Sequence, residues 1–112
     1  MLEKLINALS AEDPKAAAEC FADDIGSCFV DYCPMLAGEN NVHLIGRNAI
    51  RMFFDNQFYE MNRFFTVASV KIEDERNADF FAGYRGKYVY ARLTIEECAE
   101  DGLIKKAVIR PV

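Results

Sequence analysis

Four cysteines and one histidine are the side chains of this sequence best suited to hold a metal ion. The cysteines are Cys20, Cys28, Cys33 and Cys98, and the histidine is His43. A structural zinc site favours two pairs of ligands, with about two to four residues between the members of each pair. Cys28 and Cys33 have this spacing, but the sequence offers no second pair. We therefore expect no metal site and interpret the cysteines as small hydrophobic side chains of a core.

The single histidine is also a candidate for proton transfer. A histidine side chain gains or loses a proton near neutral pH, so His43 is a candidate acid or base. The alternative interpretation is a surface or hydrogen-bonded group on a short strand, and the sequence leaves both open. No cofactor is expected.

The composition is that of one domain with an acidic surface. Of the 112 residues, 52% are hydrophobic and 28% are charged, which predicts a single folded domain over residues 1–112. The net charge is −5, and the closest basic run is Lys105–Lys106, so we expect no nucleic-acid binding and no membrane binding. The first residues mix charged and apolar side chains, unlike a signal or membrane-spanning segment. We therefore expect a cytoplasmic protein with reduced thiols.

The first half of the sequence predicts three helices. Apolar residues at helical spacing predict a short first helix that ends near Ser10. Asp13 followed by Pro14 is typical of a helix start and predicts the second. A third helix follows Gly46, and its large apolar side chains lie on one buried face: Ile50, Phe53, Phe54, Phe58 and Met61.

The second half predicts long antiparallel strands. Short strands over 25–32 and 42–45 precede the third helix, and from residue 64 the apolar period changes to two. The strands predicted there are 64–73, 80–84, 87–97 and 103–110. Gly83 and Gly86 predict a bend or bulge, and Asp101–Gly102 predicts a hairpin. Helices followed by such strands indicate an α+β domain.

Both faces of these late strands carry large side chains, whereas a sheet with one solvated face has a polar outer side. In the strand over 87–97, Val89, Ala91, Leu93 and Ile95 alternate with a second set. That second set is Tyr88, Tyr90, Arg92, Thr94 and Glu96. We therefore expect the second face to be covered too, either by lining a cavity or by joining a second copy, and predict a homodimer through the sheet.

The order of these elements resembles a known family. A short strand that ends in an acid follows the segment Ala22-Asp23-Asp24. A helix then opens with Gly46-Arg47-Asn48-Ala49-Ile50-Arg51-Met52-Phe53-Phe54, and the last hairpin is formed by Asp101-Gly102-Leu103-Ile104. In this order the chain is similar, over essentially its whole length, to the nuclear transport factor 2-like superfamily, in its SnoaL-like and ketosteroid-isomerase-like branch. The resemblance implies a cone-like curved antiparallel sheet of about four long strands plus short early strands. This sheet would wrap around three helices of the N-terminal half and enclose a pocket.

The resemblance also implies a catalytic residue. In isomerases of this branch, the acid that ends the first strand is a general base, and the matching residue is Asp31. Those enzymes stabilise an enolate with a tyrosine and a protonated acid. The first two predicted helices contain no tyrosine, and Thr94 stands where the second acid would lie. Without such groups a base loses much of its catalytic effect, so we do not expect ketosteroid isomerase activity.

Four further residues are candidate ligand-binding residues of the same pocket: Tyr32, His43, Tyr90 and Arg92. The alternative for Tyr90 and Arg92 is packing across a dimer interface, where tyrosine and arginine are favoured. Two hypotheses follow. In the first, the chain is a small-molecule pocket protein that carries out isomerase, dehydratase or cyclase-like proton transfer on an apolar carbonyl-bearing ligand. In the second, it is a non-catalytic ligand-binding or dimerisation module of the same fold.

Overall fold

The three predicted helices are present in the computed structural model, which describes residues 1–31, 41–60, 66–84 and 87–112, without the side chains of 60, 84 and 87. Asp13 caps the second helix, since its Oδ1 accepts a hydrogen bond from the Ala16 amide at 3.1 Å. The helices are α1 (Leu2–Ser10), α2 (Pro14–Glu19) and α3 (Arg47–Asp55), and a π-helical segment, Asn56–Glu60, continues α3.

Six strands form one curved sheet, in the order β2-β1-β6-β5-β4-β3. All neighbouring strands are antiparallel except β1 and β6, which run parallel, so the sheet is mixed where the sequence predicted an antiparallel one. The bounds are β1 (Ser27–Asp31), β2 (Asn41–Ile45), β3 (Thr66–Ile72), β4 (Asn77–Tyr84), β5 (Lys87–Cys98) and β6 (Ile104–Pro111).

The sheet has two chemically different faces, which we call the inner and the outer face. The inner face packs on the helices, because its side chains share one buried cluster with those of α1, α2 and α3. Phe54 and Phe58 from the third helix and its extension fill this core, as the apolar stripe predicted. Met61 of the same stripe lies outside the described residues. The inner-face residues of β1, β4, β5 and β6 in the cluster are Cys28, Val30, Ala78, Phe80, Ala82, Ala91, Leu93, Ile95, Ala107 and Ile109.

The bulges of the described strands lie elsewhere than at Gly83, one of the two predicted positions. Strands β4 and β5 pair without interruption from Asn77 to Tyr84, so Gly83 marks no bulge. Gly83 instead makes room for a neighbour, because a Cβ there would lie 2.9 Å from Cε1 of Tyr88. The register shifts between Ala68 and Lys71 in β3, where Ser69 has φ of 55°, and again near the end of β5. Gly86 lies outside the part of the chain that the structure describes.

No helix among the described residues is long and apolar enough to cross a membrane.

Candidate functional site

Four of the five candidate site residues lie on the outer face of the sheet. Asp31 and His43 are on β1 and β2, and Tyr90 and Arg92 are on β5. All four alternate with inner-face residues of their strands, so their side chains point away from the helices. Tyr32 lies outside the described residues. The structure thus brings the candidates to one face, with β6 between the two groups.

Asp31 and His43 are diagonal neighbours on the β1–β2 hairpin. Asp31 pairs with Asn41, and His43 pairs with Phe29, two residues away along the strands. The His43 and Phe29 rings meet edge to face, with centroids 6.0 Å apart. Asp31 is half-buried, and His43 is exposed. Diagonal partners on one face lie about 7 Å apart, which long side chains can span.

Arg92 is held by a carboxylate that the sequence interpretation missed. Its Nε donates to Oδ1 of Asp79 at 2.6 Å, and its Nη2 donates to Oδ2 at 3.0 Å. Asp79 lies directly opposite Arg92 on β4 and is only 4% exposed. The hydrogen bonds from Arg92 hold the pKa of Asp79 below its ordinary value, and the same carboxylate raises the pKa of Arg92. The bidentate contact fixes both side chains.

The signal for Asp79 was present in the sequence but lay outside the predicted strand, which began at Phe80. The observed strand begins three residues earlier, at Asn77, and places Asp79 on the outer face. A polar residue alternating with Ala78 and Phe80 is the pattern that would have indicated it.

The ion pair belongs to a line of charges across four strands, which we call the charged row. Lys71 pairs with Asp79, Asp79 with Arg92, and Arg92 with Arg110. Arg110 is exposed, and no ion pair joins it to another of the described residues. The row thus has more positive than negative charges.

Next to the charged row lie three exposed aromatic rings, which we call the aromatic patch. Phe81, Tyr88 and Tyr90 are 42%, 66% and 39% exposed. Tyr90 pairs with Phe81 directly beside the Arg92–Asp79 pair, and the two rings lie 5.4 Å apart at 60°. Tyr88 forms the next cross-strand pair on this face, with Gly83 as its partner. Three large rings are thus left open to water together on one face, next to charged groups.

The position of the missing isomerase acid is also on the outer face. Thr94 donates from Oγ1 to Oδ1 of Asn77 at 2.7 Å, so its hydroxyl is held within the sheet. Among the described residues, Gln57 and Asp79 are the only buried polar side chains. Since Asp79 faces outward, the described helix-facing side of β4 and β5 presents only apolar groups.

Two of the three described cysteines are core side chains, as predicted. Cys20 and Cys28 are buried, and burial raises the pKa of both thiols, that of Cys28 to about 12. Cys98 is exposed at the end of β5, and Cys33 lies outside the described residues. In the described ranges no three metal-binding side chains converge.

Comparison with known proteins gives a match at the level of structure. No family model and no curated protein matches the chain. A ketosteroid isomerase-like protein from Catenulispora acidiphila, solved in complex with trimethylamine, superposes with a TM-score of 0.65 at 13% identity, over 97% of this chain and 82% of that one. A protein of unknown function similar to nuclear transport factor 2, from Burkholderia xenovorans, gives 0.62 at 19% identity, over 98% and 78%.

A SnoaL-like protein of unknown function from Burkholderia thailandensis gives a TM-score of 0.61 at 15% identity, over 98% of this chain and 89% of that one. Identities this low establish shape and not activity. The shared shape extends over nearly the whole chain, as the sequence resemblance predicted. The chain therefore has the nuclear transport factor 2-like fold of SnoaL-like and ketosteroid isomerase-like proteins.

Proposed function

We propose that this protein is a non-catalytic module that pairs with a second copy of itself through the outer face of its sheet. The observation that carries the proposal is the aromatic patch, in which Phe81, Tyr88 and Tyr90 stand open to water on the side away from the helices. Tyrosine, phenylalanine and arginine are the residues enriched at protein interfaces, and buried rings contribute much of the binding free energy.

The neighbouring ion pair supports the same role. Arg92 donates two hydrogen bonds, from Nε and Nη2, to the carboxylate of Asp79, so this carboxylate already offsets the positive charge that Arg92 could offer to a ligand. A guanidinium held in this way is preorganised for packing beside the Tyr90 ring across an interface. The described side chains on the inner face of β4 and β5 are apolar, which supports a non-catalytic role, because proton transfer needs an acid or base beside the substrate.

The experiment measures the molar mass of the purified protein in solution by light scattering and sedimentation over a range of concentrations. We expect twice the chain mass of 12.7 kDa. The double variant Phe81→Ser/Tyr90→Ser should run as a folded monomer, because it removes both central rings. Met52→Ser is the matched control, since Met52 is 73% exposed on α3 and its loss should leave the mass unchanged. A monomeric wild type would refute the proposal.

A second candidate function is proton transfer on a small apolar ligand with a carbonyl group. The observation that favours it is that Asp31 and His43 share one face of the β1–β2 hairpin as diagonal neighbours. A carboxylate and an imidazole so placed are suited to move a proton between two atoms of one ligand. The complex of the Catenulispora acidiphila protein with trimethylamine indicates that a relative of this shape holds a small molecule.

This candidate is tested by a thermal-shift screen of small carbonyl compounds, because a ligand raises the melting temperature by mass action. Any compound that binds is then assayed for exchange of its α-proton with solvent deuterium. Asp31→Asn should abolish exchange while retaining binding, and exchange unchanged in this variant would exclude Asp31 as the base.

The described cysteines support a location in the cytoplasm, which we include in the proposal. Cys20, Cys28 and Cys98 are all free thiols. Unpaired cysteines persist in a reducing compartment. Fractionation of cells that express the tagged protein tests this location.

A further inference from the structure

The charged row lies at one side of the aromatic patch and crosses the sheet at right angles to the strands. Tyr90 and Phe81 form one cross-strand pair, and Arg92 and Asp79 form the next pair on the same face. The row extends to Lys71 on β3 and Arg110 on β6. A second copy that packs on the patch therefore lies next to a line of charges. Covering these charges with apolar groups would cost free energy, because they would lose their contact with water.

Stability alone does not explain why a carboxylate of the charged row is buried. Asp79 is the most buried charged side chain in the described part of the chain. The Arg92 side chain is 41% exposed, so the pair is only partly buried, and even a fully buried ion pair can often be replaced by apolar side chains of similar volume without loss of stability. The pair can instead contribute specificity, because charged groups oppose every arrangement that would bury them without partners.

We propose that the Arg92–Asp79 pair and its row restrict the second copy to one position along the strands. This inference rests on the proposed pairing through the outer face. A partner displaced by one cross-strand pair, about 7 Å along the strands, would place its rings over Arg92, Asp79 and Arg110. That arrangement buries charges against apolar groups. It is therefore less favourable than the arrangement in which the aromatic rings of one copy pack on those of the other.

Beyond the row the outer face carries an uncharged cross-strand line in which Thr94 and Phe29 are partly exposed and Val108 between them is buried. Thr94 pairs with Val108, and Val108 pairs with Phe29. If the row were apolar, the patch and this second area would form one continuous surface. Two copies would then pack at several positions along it, and exposed apolar area would remain for a third.

The experiment compares the wild type with the double variant Asp79→Leu/Arg92→Met by sedimentation velocity and light scattering. The matched control is Arg51→Met/Asp55→Leu, which makes the same type of exchange at two exposed positions of α3. We expect a single dimer for the wild type and the control. For the double variant, the average mass should rise with concentration above twice 12.7 kDa, with several sedimenting species.

The outcomes separate this inference from the proposed function. A monomeric wild type refutes the pairing itself. If the wild type is a dimer and the double variant forms the same single dimer with an unchanged dissociation constant, the row does not restrict the partner. A double variant that is only monomeric equally overturns the inference, because the ion pair would then supply affinity. If the double variant does not fold, Arg110→Leu, at an exposed position of the row, takes its place with the same expected result.

Discussion

The corner between α1 and α2 contains a strained residue whose replacement should stabilise the protein. The Glu12 amide donates to the Leu9 carbonyl at 3.1 Å, and the Asp13 amide donates to the Ala8 carbonyl at 2.9 Å. These two bonds form a Schellman motif, in which the residue after the C-cap adopts the left-handed conformation and is usually glycine. Here that residue is Glu12, with φ of 55°. The Tyr59 hydroxyl also donates to the Glu12 carbonyl.

The expected gain from Glu12→Gly follows from two opposing effects. A residue with a Cβ is destabilised by about 1–2 kcal/mol in the left-handed region. Glycine removes that strain but costs roughly 0.5–1 kcal/mol in extra freedom of the unfolded chain. The free energy of unfolding should therefore rise by about 0.5–1 kcal/mol. For a chain of this length, that raises the melting temperature by about 2–5 °C.

Thermal and urea unfolding of three proteins test this reasoning. Glu12→Ala is the matched control, because alanine loses the carboxylate of Glu12 but keeps the Cβ. The backbone carbonyl that accepts from Tyr59 is present in both variants. If Glu12→Ala stabilises as much as Glu12→Gly, or if glycine gives no gain over alanine, the strain at this position is not what limits stability.

Three more outcomes are expected. Because the hydrogen bonds from Arg92 lower the pKa of Asp79, the stabilisation from this pair is present above the ordinary pKa of an aspartate and is lost as pH falls through the lowered value. Asp79→Asn should therefore flatten the acidic part of the pH dependence of the free energy of unfolding, measured with urea. In native protein, iodoacetamide should label Cys98 and spare Cys28, whose thiol is buried with a pKa of about 12, and equal labelling by mass spectrometry would contradict this. Gly26→Ala should cost about 1–3 kcal/mol in thermal unfolding, because its Cβ would lie 2.5 Å from a backbone carbonyl oxygen; an unchanged melting temperature would count against this packing.

Periodicity within one element was sufficient to predict the helices and the faces of the late strands. The stripe of the third helix correctly predicted that Ile50, Phe54 and Phe58 are buried. The alternation in β5 separated the buried Leu93 from the outward Arg92, as observed. Both patterns depend only on the repeat of the helix or strand, so neighbouring residues suffice to show them.

Strand ends and pairings were predicted less well. The first strand was predicted over 25–32 and is Ser27–Asp31, and β4 begins at Asn77, before the predicted start at residue 80. The late start excluded Asp79 from the sheet and with it the partner of Arg92. A cross-strand contact depends on the register of two segments, which composition at a strand end does not determine.

The sequence by itself determined that this is an α+β chain in which helices precede long strands, since apolar spacing and turn residues act locally, and the resemblance to the nuclear transport factor 2-like fold rested on that order of elements. Only the tertiary structure decided that Asp31, His43, Tyr90 and Arg92 share the face away from the helices. It also decided that β1 lies parallel to β6, where Ser27 pairs with Lys106, 79 positions later in the sequence. The physical reason is that a strand face becomes inner or outer only when the whole sheet packs on the helices. The sheet then buries the face with the larger apolar area.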